Sequence, residues 1–93
     1  MKYKIKITRT FKKAYKTIKK RNYDLSLLNY VINKLANGEK LEEKYHDHQL
    51  KGNFKDFREC HIKPDRLLIY LIEDNILTLT LVTTGSHSDI LDL

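Results

Sequence analysis

The chain has one cysteine, one proline and three glycines. A single thiol cannot close an internal disulfide, so a reducing compartment, the cytoplasm, is the expected location. No apolar run is long enough to span a bilayer, which leaves no membrane role by this route. The opening MKYKIKITRT alternates charged and apolar residues and lacks the continuous apolar centre of a signal peptide. Repeats, low-complexity tracts and linkers are also missing, so residues 1–93 read as a single domain. Neither CxxC nor HExxH occurs, which removes the commonest signatures of a metal centre.

Acids are outnumbered. Lys plus Arg total 18 against 12 Asp plus Glu, for a net charge of +6 and a pI near 9.4. Such a balance favours anionic partners: RNA, DNA, an acidic protein or anionic lipid. A basic surface that is merely solvated is the plainer alternative. Hydrophobic residues make up 41%, enough for a small packed core.

The patterning predicts the elements in order. Lys2, Lys4 and Lys6 alternate with Tyr3, Ile5 and Ile7, the period of a half-buried strand. Thr8 or Thr10 can cap a following helix whose apolar stripe is Phe11, Ala14, Tyr15 and Ile18, with lysines between. Asp24 is the expected N-cap of a second helix carrying Leu28, Val31, Ile32 and Leu35, and Gly38 its left-handed terminator. From Glu39 to about Asp56 the pattern fails, and a long polar loop is expected. Strands are predicted at Phe57–Lys63, Leu67–Ile72 and Ile76–Val82, the last two joined by an EDN turn. LLIYLI is apolar on both faces, as a central strand is. The expected class is α+β, in the order β-α-α-β-β-β, with a two-helix hairpin on one face of the sheet.

All four histidines lie in the second half: His46 and His48 in the loop, His61 at a strand end and His87 after the last strand. Asp47, Asp65 and Asp89 stand near them. Strand alternation points Cys60 and Ile62 toward the helices and Phe57, Glu59 and His61 to the opposite face. Cys60 therefore reads as core filler rather than a nucleophile. Pro64 has no N–H to donate and a fixed φ, so it ends the ladder and can aim Asp65 near His61. Two imidazoles can serve as base and acid near neutral pH, and RNA brings its own nucleophile, the 2′-hydroxyl. Each histidine also has a plainer reading as a hydrogen-bonded structural residue, and HDH is also a possible metal pair with His61 or His87. Spacing does not choose between His46 and His48.

YHDHQLKGNFKDFRECHIKPDRLLIYLI followed by TGSHSDIL resembles the YafQ branch of the RelE-like toxins of type II toxin–antitoxin systems. The resemblance covers essentially the whole chain. It rests on DH-x-L-x-G, R-x-x-H-I-x-P-D and G-S-H-S in that order. It implies a RelE-like fold with a small antiparallel sheet, and an endoribonuclease that cuts mRNA in the ribosomal A site without metal or cofactor. It also implies a cognate antitoxin, with DNA met only through that antitoxin. The family's catalytic positions fall on His48, His61, Asp65 and His87. In this reading His48, with Asp65, takes the 2′-hydroxyl proton, His87 protonates the leaving oxygen, and His61 holds the phosphate or orients Asp65. Lys51, Lys55, Arg58, Lys63 and Arg66 are the expected phosphate and RNA contacts. Three positions depart from the family pattern. Thr83 stands where it usually has arginine, Leu91 where it commonly has phenylalanine, and Arg66 where an apolar or aromatic residue is frequent. Thr83 and Leu91 keep open a catalytically weak toxin that acts mainly as an antitoxin-binding, co-repressing module.

Overall fold

The computed structural model describes residues 1–90. Its elements are β1 (Lys4–Ile7), α1 (Arg9–Lys20), α2 (Ser26–Ala36), β2 (His48–Gln49), β3 (Arg58–Lys63), β4 (Arg66–Glu73), β5 (Thr78–Gly85) and α3 (His87–Ile90). The α+β class and the helix hairpin are as the patterning predicts. The sheet has five strands in the order β1-β5-β4-β3-β2. It is not wholly antiparallel, because β1 runs parallel to β5. Parallel neighbours need a long connection, and everything between β1 and β5 supplies it.

Local chemistry sets the element ends. The Thr8 hydroxyl accepts from the Phe11 amide at 3.0 Å and caps α1. It also donates to the Val82 carbonyl at 2.5 Å, tying that cap to β5. Asp24 is one residue short of the cap position expected for it. Leu25 occupies that position, and the Asp24 carboxylate accepts from the Ser26 amide at 2.9 Å. At the other end of α2, Gly38 adopts φ +77°. Its amide reaches Leu35 O and that of Glu39 reaches Lys34 O, the paired bonds of a Schellman motif. The last strand starts at Thr78 rather than Ile76. Asp74–Ile76 form a 3-10 turn, and Leu77 turns the chain at φ +48°.

Phe11 and Ile18 of α1 and Leu28, Val31, Ile32 and Leu35 of α2 pack on Cys60, Ile62, Leu68, Tyr70, Leu79 and Leu81. The last six alternate along β3, β4 and β5, so one face of the sheet is covered. Leu67 and Ile69 on the other face of β4 are also buried, as expected for a central strand. Two irregularities interrupt the ladders. Ile62 is unpaired between His61↔Leu67 and Lys63↔Arg66, and Val82 between Ile69↔Thr83 and Tyr70↔Leu81. Such bulges bend a strand and re-aim nearby side chains, and the first lies beside His61. No helix among the described residues is long and apolar enough to cross a membrane.

Candidate active site

All four histidines converge on the face of the sheet opposite the helices. His61 is their common neighbour. Its ring centroid lies 5.7 Å from that of His46, 6.1 Å from His48 and 5.9 Å from His87. Three elements deliver them. His61 comes from β3, His46 and His48 from the loop that ends in β2, and His87 from the first turn of α3. Strand β2 is only two residues long, but its pairing of His48 with Glu59 fixes the loop against β3.

A buried anchor holds the same loop from below. Asp47 accepts hydrogen bonds from the Tyr70 hydroxyl and from the Arg58 guanidinium, whose Nη2 lies 3.2 Å away. Tyr70 is fully buried. Burial, and then the Asp47 carboxylate, push its phenol well above the usual range, so it stays a neutral donor. Asp47 thus points inward, while the histidines on either side of it meet the His61 ring.

Hydrogen-bond partners assign two tautomers. His48 Nδ1 sits 2.7 Å from the His46 carbonyl. A carbonyl only accepts, so Nδ1 carries the proton and Nε2 is left to act as a base. Nε2 faces Glu59 Oε1 at 3.5 Å, and His61 Nε2 is 3.5 Å from the same oxygen. On the other flank, His87 Nδ1 lies 2.8 Å from Asp65 Oδ1, and the His87 amide donates to that oxygen at 3.3 Å. The side-chain bond, then the backbone bond, hold the Asp65 carboxyl below its ordinary range. The Nε2 of His87 is therefore its free nitrogen.

The structure redistributes two expected partnerships. Asp65 lies at the β3–β4 turn after Pro64, but it holds His87 rather than His48 or His61. The turn carries it toward Gly85 and Ser86, where α3 begins. The carboxylate between His48 and His61 is Glu59, which strand alternation puts on the same face as His61 but to which spacing assigns no role. Its position two residues before His61 on an uncovered strand face was the available signal. The expected phosphate contacts divide. Lys63 lines the cavity beside His46 and His61. Arg58 is engaged with Asp47, and Arg66 lies over the Tyr23 ring, 3.3 Å from its centroid. Lys51 and Lys55 are exposed on the turn around Gly52–Phe54. Thr83 is buried in β5, in register with Ile69, which pairs in turn with Glu59. It carries no charge to the histidine face. Leu91 lies outside the described residues.

His48, Glu59 and His61 also fit a divalent transition ion. One donor atom from each lies within 4.8 Å of the other two, and nitrogen–oxygen sets of this kind suit zinc or copper.

The family described as "Bacterial toxin of type II toxin-antitoxin system, YafQ" matches residues 3–92. The chain belongs to this family. The mRNA interferase toxin YafQ of Escherichia coli K12 is 35% identical over 79 residues, 84% of each chain. A metal-bound toxin from Helicobacter pylori is similar at 48% identity and a TM-score of 0.88, over 95% of this chain and 98% of that one. YafQ in the E. coli DinJ-YafQ complex is similar at 32% identity and a TM-score of 0.87, over 95% and 97%. The YafQ likeness therefore extends from the sequence motifs to the whole fold.

Proposed function

We propose that this chain is the toxin of a type II toxin–antitoxin pair and cuts mRNA in the ribosomal A site by acid–base catalysis, which inhibits translation. The observation that carries the reading is the convergence of His46, His48 and His87 on His61, with the tautomers of His48 and His87 set by their partners. His48 Nε2, beside Glu59, takes the proton of the 2′-hydroxyl. The hydroxyl oxygen attacks phosphorus, and the bond to the 5′-oxygen breaks. His87, which enters this step protonated on both nitrogens with its Nδ1–H on Asp65, gives that leaving oxygen its Nε2 proton and is left neutral. His61 and Lys63 face the charge growing on the phosphate. The products are a 2′,3′-cyclic phosphate and a free 5′-hydroxyl. No step needs a cofactor. Lys51 and Lys55 add phosphate contacts along the strand, whereas Arg58 and Arg66 serve structure first.

The DinJ-YafQ complex supports a cognate antitoxin as partner. An acidic antitoxin segment suits a surface of net charge +6. DNA is reached only through that partner, and the site of action is the cytoplasm. The test is induced expression with mapping of mRNA cut sites. Wild-type protein should arrest growth and cut, and His87→Ala should lower cleavage by about 10²–10⁴ while remaining folded. Full cleavage by folded His87→Ala would remove it as the acid.

A second reading concerns metal. The donor geometry of His48, Glu59 and His61, together with the metal-bound H. pylori relative, favours copper or zinc binding here. An ion would occupy the lone pairs that catalysis uses, so it should inhibit. Stoichiometric copper should slow cleavage and a chelator should restore it. Cleavage that requires the ion would reverse this reading.

A further inference from the structure

A cavity of about 690 Å³ opens beside His61. Leu27, Lys44, His46, His61, Lys63 and Pro64 contribute to its walls, and among the described residues no acidic side chain does. We propose that it is a nucleotide subsite, in which the base next to the scissile phosphate lies against the His46 imidazole. The assignment rests on the ribonuclease reading.

Position comes first. His61 belongs to both the cavity and the imidazole cluster, so a strand with its phosphate at His61 continues past the cavity mouth. Chemistry comes second. Leu27 and Pro64 offer apolar surface to the face of a base, and Lys44 and Lys63 offer cations to its phosphates. The volume falls within the range of small-ligand sites. The third observation is backbone. His46 adopts φ +48°, in the left-handed region. It ends the 3-10 turn Glu43–Tyr45, a place that glycine or asparagine fits with less strain. Buried Tyr45 on one side and anchored Asp47 on the other hold it there. That conformation brings its ring edge-on to His61, at an interplanar angle of 72°. A strained residue whose ring joins a reactive cluster points to a side-chain role. Stacking on an aromatic face tolerates every base and favours the flatter, larger ones.

The test uses the full chain and a short 2′-O-methyl RNA, which cannot be cut at the modified linkage. Matched RNAs carry an abasic nucleotide on one side or the other of that linkage. His46→Gly removes the ring and suits the left-handed backbone, so its thermal midpoint should not fall; His46→Phe keeps a stacking face. Wild-type protein should bind one abasic RNA about tenfold more weakly than the intact RNA. His46→Gly should lose a similar factor with intact RNA, and His46→Phe should recover most of it. NMR shifts on binding should include the Leu27 methyls. Equal binding of intact and abasic RNAs, unchanged affinity in His46→Gly, or no binding of any RNA would each overturn the subsite. Cleavage of the unmodified RNA on ribosomes tests the nuclease reading separately. Protein that binds with base dependence but never cuts loses only that reading, and protein that cuts without base dependence loses only the subsite.

Discussion

At the scale of single residues, chemistry and packing divide along β3. Cys60 and His61 are neighbours in sequence, yet the pleat sends one into the core and the other to the site. Burial, followed by the Asp47 and Glu59 carboxylates, pushes the Cys60 thiol up to about 12. Folded protein should therefore leave it unmodified by a thiol reagent at neutral pH, with labelling only at the rate of unfolding. Rapid stoichiometric labelling would contradict its burial. Asp65 poses a finer question, because it acts through His87. Asp65→Ala frees both ring nitrogens of His87, and cleavage should fall by about tenfold to a hundredfold, less than for loss of the acid itself. The ¹⁵N shifts of the His87 ring should change from one dominant neutral tautomer to a mixture. Asp65→Asn, which retains an accepting oxygen but no charge, should keep the tautomer and still lose activity, because the protonated His87 ring then lacks its anionic partner.

At the scale of elements, the loop that carries His46 and His48 is held at both ends. Near its start, Glu42 accepts from Lys34 of α2 and from the Tyr30 hydroxyl, each at 2.7 Å. The Lys34 bond first, then Tyr30, draws the Glu42 carboxyl from its usual 4.5 to about 2. A carboxyl lowered on folding stabilises the native state above its unfolded pKa, and the gain is lost as pH falls through the folded one. Wild-type protein should thus lose more of its thermal midpoint between pH 4.5 and pH 2 than Glu42→Gln does. Parallel curves for the two proteins would show that the contact adds nothing. The hinge between α2 and this loop depends on Gly38, whose φ of +77° disfavours a side chain. A Cβ there would also lie 2.6 Å from Lys2 Cδ, a flexible atom that can move aside. Gly38→Ala should cost about 1–2 kcal/mol, measured by urea unfolding, chiefly through the backbone term.

At the scale of the molecule, the open question is electrostatic. The histidine face lacks an arginine where relatives of this pattern usually have one, since Thr83 is buried and neutral. Arg58 does not replace it, being paired with Asp47. Thr83→Arg should raise cleavage by about tenfold or more if the new guanidinium reaches the phosphate past Ile69. The thermal midpoint, read alongside, separates a real gain from a misfolded variant. RNA affinity should fall steeply with salt, as a basic protein contacting several phosphates requires. A flat salt response would place recognition in the base contacts instead.

Much of this was legible before any coordinates. Alternation and helical stripes specify which residues are apolar and at what period, so the α+β class, the helix hairpin, the doubly buried β4 and the inward Cys60 followed from local pattern. Composition and motif order gave the family. Long-range pairing was not legible, because hydrogen bonds between strands distant in sequence leave no local period. The parallel β1–β5 pair, the short β2 and the two bulges belong to that class. So do the partners at the site. Only the folded chain decided that Asp65 holds His87, that Glu59 stands between His48 and His61, and that Asp47 turns inward to Tyr70, since each contact joins separate elements whose approach is set by packing.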